Sequence, residues 1–123
     1  MVIIKPIPKA VLCHSAVLTL KAADKWGKPA FLASGELLNV RFEPVYRHEN
    51  SSSQNGANYN ARLFVDAVNS SCALPLLNVG DEYNGQEITA ETVTFSGREY
   101  DVTEIKTYYD NVKIHHREVL LNG

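Results

Sequence analysis

The chain has 123 residues, of which 45% are hydrophobic and 21% charged, and it carries a net charge of −2. That length suits one domain spanning 1–123, with enough core to fold without metal or disulfide staples, and the composition excludes a disordered chain. The faint acidity and the lack of a dense Lys/Arg run weigh against a nucleic-acid-coating protein, and no stretch approaches the about 20 apolar residues of a membrane span.

In chain order, Met1 to Lys5 is apolar for too short a run to form the core of a signal peptide. Pro6-Ile7-Pro8 holds the entry segment extended, because proline disfavours helix in the residue before it. Val11 to Leu20 reads as a strand, with Leu12, His14, Ala16, Leu18 and Leu20 on one parity. Asp24 to Pro29 is a turn marked by Gly27 and Pro29. Leu38, Val40 and Phe42 then alternate with Asn39, Arg41 and Glu43, the period of a half-buried strand.

Pro44 stops that strand. The segment from Arg47 to Gly56 has no apolar residue, so a long polar loop is expected over about 44–60. Asn60 to Val68 resumes as a strand, with Leu63, Val65 and Ala67 on one face and Arg62, Phe64, Asp66 and Val68 on the other. Asn69-Ser70-Ser71 breaks it. Leu74 to Val79 offers at most a short helical turn, and Gly80-Asp81 marks another connection.

Glu87 to Phe95 is β-rich, and Ser96-Gly97 is short enough for a hairpin turn into Arg98 to Ile105. Tyr100 and Val102 share a parity that Ile105 breaks, which predicts a bulge near Thr103-Glu104. Tyr108 to Asn111 reads as a turn. The last strand, Val112 to Leu121, changes phase between Ile114 and Val119, which predicts a second bulge near His115-His116. The fold class is therefore mainly β, a small antiparallel barrel or sandwich of about six strands with little helix.

Cys13 and Cys72 have no metal-type spacing and are expected as free thiols packed as small hydrophobes. His115-His116-x-Glu118 is the nearest approach to a metal cluster. Adjacent strand residues point to opposite faces, however, so the two histidines cannot share an ion without a bulge, and the sequence names no third ligand. His14 reads as a satisfied strand histidine. No nucleophile elbow and no phosphate-binding glycine loop is present. These observations point away from an enzyme and require no cofactor.

Several phrases taken in order resemble a bacteriophage family, the minor capsid or head-completion proteins that sit between portal and tail. They are Ile4 to Lys9, Trp26 to Pro29, Leu38 to Pro44, Leu63 to Ser70 ("LFVDAVNS"), Val79 to Asp81, Phe95 to Ile105, and His115 to Val119. The stretch Gln86 to Thr94 departs from the family pattern by carrying extra residues. The resemblance implies a structural head-tail joining protein of the stopper type, a small β-barrel with extended loops. Such proteins form a ring below the portal, retain packaged DNA and present a surface for the tail.

The partners so implied are copies of this chain, portal or adaptor proteins, and tail proteins, with DNA met by steric contact rather than tight binding. The isolated chain can be a monomer if the portal templates the ring. The protein would be made in the bacterial host cytoplasm and reside in the virion. Rival readings are an adaptor or tail terminator of the same connector, or more distantly a small nucleic-acid-binding barrel.

Two groups of residues follow as candidates. Arg47, His48, Glu49, Asn50, Gln54 and Asn55 form either a plain surface loop or a channel loop that orders in the ring. Trp26, Arg62, Asp66, Tyr108 and Tyr109 are candidates for subunit or partner contacts, with aromatics at turns favoured at interfaces. The alternative for Arg62 and Asp66 is a solvated face with ion pairing, and for Asp66 also a cap on the Asn69-Ser70 turn.

Overall fold

In the computed structural model, residues 5–45 and 59–123 are described. They form eight strands: β1 His14–Ala23, β2 Pro29–Pro44, β3 Ala61–Asp66, β4 Ser71–Cys72, β5 Glu82–Tyr83, β6 Gln86–Phe95, β7 Arg98–Tyr109 and β8 Ile114–Asn122. Six of them close an antiparallel barrel in the order β1-β2-β3-β8-β7-β6, with β6 returning to β1, and β4 and β5 add to β2 and β6. Walking the register once round from Ala61 through Leu121 to Val102, stepping to the adjacent Asp101 and on through Thr92 and Thr19, arrives at Ser34 of β2 rather than near Pro44. That stagger is what a tilted, closed barrel requires.

Alternation in each strand fills the interior. Ala16, Leu18 and Leu20 of β1 meet Leu37, Val40, Leu63, Val65, Val119 and Leu121 there. Phe42 stacks on Phe95 with ring centroids 4.2 Å apart and packs on Tyr100 at 5.2 Å, closing one end of the core.

The phase changes in the sequence are bulges. Opposite Leu121 and Leu120, β7 presents Val102 and Glu104, so Thr103 is the extra residue, and its hydroxyl donates to the Leu120 carbonyl at 3.2 Å. Opposite Tyr108 and Tyr109, β8 presents His116 and Ile114, which makes His115 the extra residue. The Ser96-Gly97 turn has positive φ at both positions, 51° and 77°, the type I′ geometry that suits a tight hairpin.

Other expectations change. β1 begins at His14 rather than Val11, because the amides of Val11 and Leu12 close turns on the Pro8 and Lys9 carbonyls. β3 ends at Asp66, so Ala67 is exposed instead of sharing the inner face with Leu63 and Val65. Tyr108 and Tyr109 belong to β7; the turn is built by Asp110, whose Oδ1 accepts from the amides of Val112 and Lys113 at 2.7 and 2.8 Å. Leu74 to Val79 forms no helical turn. Both cysteines are free but exposed, not packed as hydrophobes.

β2 is far longer than its alternating half, and Gly35 shows why its first half must be plain. A Cβ at Gly35 would sit 2.9 Å from Ala73 Cβ and 2.9 Å from Leu74 Cγ, where the chain crosses after β4. Gly35→Ala should therefore cost about 1–3 kcal/mol by overpacking. A urea midpoint equal to that of the parent would show that the crossing segment yields freely.

Candidate functional site

The end of β3 is held by its own polar side chains. Asp66 is only 2% exposed. Its Oδ2 accepts from the amides of Val68 and Asn69 at 2.9 and 2.8 Å, and its Oδ1 accepts from the amide of Ile7 at 2.9 Å. Asn69 Nδ2 donates back to the Ile7 carbonyl at 2.8 Å, so Ile7 is bound through both backbone groups. Ser70 Oγ accepts from the Asp66 amide at 2.9 Å and donates to the carbonyl of Asn39, a residue at φ 54° that bulges out of β2. Burial alone would raise the Asp66 pKa; the amides of Asn69, Ile7 and Val68 and the field of His115 outweigh it and hold the carboxyl below its usual range.

The "LFVDAVNS" phrase is thus a clamp for the entry segment. That segment, residues 5–12, crosses the outside of the barrel like a strap. Lys5 gives its carbonyl to His115 Nε2 at 2.6 Å, Ile7 docks on Asp66 and Asn69, and Val11 receives Arg41 Nη1 at 3.4 Å. Of the candidate contact residues, Asp66 is the one buried beneath the strap, with its oxygens occupied by the chain's own amides.

Beside the strap, the outer face of β2-β3-β8-β7 is a grid of alternating charge. The register places Glu43, Arg62, Leu120 and Glu104 in one row, and Arg41, Phe64, Glu118 and Lys106 in the next. Asp66, His116 and Tyr108 follow in a third. Arg41 Nε meets Glu43 Oε2 at 3.0 Å, the Arg62 guanidinium lies 5.7 Å from the Phe64 ring centroid, and His116 Nε2 meets Glu118 Oε2 at 3.2 Å. Tyr108 stacks on His116 with centroids 4.8 Å apart and planes 8° from parallel.

The bulge at His115 turns its ring toward its neighbour, with Nδ1 2.8 Å from His116 Nδ1. The two histidines and Glu118 thus bind one another and the strap. Among the described residues, no group of three or more His, Cys, Asp or Glu is arranged to hold a metal ion.

The aromatic candidates sit elsewhere. Trp26 is 72% exposed at the tip of the β1–β2 hairpin, with Lys25 Nζ 4.4 Å above its ring, and Tyr109 is 68% exposed at the end of β7. β1 and β7 run in the same sense, since both are antiparallel to β6. Their hairpins therefore leave the barrel at one end. Asn60 marks the other end: its amide donates to Leu121, its carbonyl accepts from Val45, and its side chain donates to the Gly123 carbonyl at 2.7 Å. Arg47, His48, Glu49, Asn50, Gln54 and Asn55 lie outside the described residues.

Sequence reading did not single out Glu91. Register pairs it with Leu20, facing inward, because β6 slips by one residue at Thr89 between Ile88 and Ala90. The opposite parities of the apolar residues Ile88 and Val93 carried that signal. Glu91 is 3% exposed, its Oε1 has no hydrogen-bond partner, and burial, with Asp81 second, pushes its pKa up to about 7.

The sequence matches the family model described as "Minor capsid protein" over residues 8–121. No curated protein and no solved structure matches it. The match covers nearly the whole strand order described above, from the strap to β8, and the chain belongs to the minor capsid protein family of phage structural proteins.

Proposed function

We propose that this virion structural protein is a head-closure stopper. Copies form a ring below the portal, hold packaged DNA in the head and give the tail its attachment surface. The observation that carries the reading is the polarity of the barrel, with aromatic hairpins at one end and the base of the 44–60 loop at the other. A subunit so built has one end for a protein neighbour and one end for a channel. The charged grid gives such a ring sides that recognise one another by charge, and Arg62 Nε, buried without a partner among the described residues, suits a contact made only on assembly. Heterologous contacts of this kind close into rings.

The protein works by assembly and steric blocking, without turnover or cofactor. An adaptor would carry more helix, and the described residues hold none. A nucleic-acid-binding barrel would need a basic groove with stacking aromatics, whereas here cations and anions alternate across the outer face.

Heads assembled with residues 47–57 deleted decide the matter. DNA-filled heads are expected to empty, while the purified protein keeps its strand-rich spectrum. Heads that retain their DNA and accept tails would overturn the stopper reading. Heads that stay full while tails reach uncontrolled lengths would replace it with a tail terminator.

A further inference from the structure

Beyond Asp101, β7 leaves β6: their pairing runs only from Thr92↔Asp101 to Phe95↔Arg98. The bulge at Thr103 lies just past this point, and the wall opens there into a recess of about 220 Å³ lined by Glu91, Glu104, Thr103, Asn78, Val79 and Ile105, with Val102 behind them. Two carboxylates face it. Glu91 is more than nine-tenths buried with Oε1 unpartnered, and Glu104 Oε2 is likewise buried without a partner. Asp81 adds to the negative field at Glu91. A buried carboxylate oxygen without a donor is costly, so its presence at a recess calls for a donor from outside.

We infer that this recess receives the β1–β2 hairpin tip of a second copy, a lysine ammonium entering between Glu91 and Glu104 while the indole of Trp26 covers Val79. The tip carries Lys25 and Lys28 on either side of the exposed Trp26, and its shape is fixed by Asp24 Oδ1, which accepts from the amides of Trp26 and Lys28 at 2.8 and 2.9 Å. The recess offers the complement, two carboxylates with the exposed Val79 at the rim. The tip does not serve its own recess. Glu91 pairs with Leu20, four residues before Asp24, which is roughly 13 Å of strand. A tip that fits only another copy's wall is a heterologous contact, so the inference deepens the ring reading and rests on it.

The test titrates a peptide of residues 22–30 into the isotope-labelled protein and follows backbone amides by NMR. Shifts at 78–79, 91 and 102–105 are expected, weakened by about tenfold or more in Glu91→Gln/Glu104→Gln and lost for a peptide carrying Lys25→Glu and Lys28→Glu. Glutamine keeps the shape of the protonated acid, so the variant folds, and its own spectrum verifies this. No shifts, shifts elsewhere, or shifts indifferent to these charges would overturn the contact and leave the recess a structural feature of the monomer. Peptide binding combined with heads that keep their DNA after the loop deletion would preserve the contact and remove the stopper role.

Discussion

Replacing Asp66 by alanine is expected to lower the unfolding free energy by about 3 kcal/mol and to release the strap from the barrel. The substitution strips the acceptor from three amides at once, those of Ile7, Val68 and Asn69. Two of these belong to the turn that ends β3, and the third ties the strap to it. Asp66→Asn keeps one carbonyl oxygen and should cost about half as much. Denaturant titration gives the energies, and hydrogen exchange at the Ile7 amide reports the strap. Unchanged protection of that amide in Asp66→Ala would mean that the bonds from Asn69, His115 and Arg41 hold the strap without Asp66. The pKa of Asp66 is depressed in the folded state, so its contribution is present above about pH 4 and fades as pH falls through the folded value. Acid should therefore loosen the strap before it unfolds the barrel.

Glu91 gives the opposite pH dependence. Its pKa is raised from 4.5 to about 7, so near pH 6 the folded protein holds a proton that the unfolded chain has released. Stability is full below pH 4.5, declines as pH rises toward 7 and stays reduced above it, with a loss of about 3 kcal/mol at 1.36 kcal/mol per unit. Glu91→Gln removes the titrating group. The variant should match the parent at pH 4.5 and exceed its stability by roughly that amount at pH 8. Guanidinium midpoints for both proteins at the two pH values measure this directly. Parallel curves across the range would show that the carboxyl titrates in the folded protein as it does in the unfolded chain.

The two cases mark what could be read from the sequence. Both β7 and β8 announced their bulges because apolar residues on either side, Val102 and Ile105, Ile114 and Val119, sit in opposite phase. The slip at Thr89 obeys the same rule, yet it lies in a run of threonines with few apolar markers, so the inward turn of Glu91 is faint in the sequence. The cap by Asp66 on its own turn is a local pattern and was legible. Its bond to Ile7 joins residues 59 apart, and no periodicity encodes such a contact. The first half of β2 carries no alternation because Gly35 must stay bare beneath Ala73 and Leu74, so pairing with β1 shapes that segment rather than an apolar face. Trp26 and Tyr109 stand out in the sequence as aromatic residues near turns, and the hairpin geometry adds that they leave the barrel at a common end.

The closing seam of the barrel has a kinetic consequence. The hairpins β6–β7 and β7–β8 join near neighbours in sequence, whereas the seam requires Val17 to find Thr94, and the strap requires Lys5 to find His115 across 110 residues. Loop-closure entropy must be met before those contacts reward it, so the chain belongs with the slow β-rich folders that take milliseconds to seconds. Until the seam forms, β1 and β6 are open edges able to pair with any neighbouring nascent chain. The rate of that last closure then sets how long a newly made chain stays exposed to such pairing.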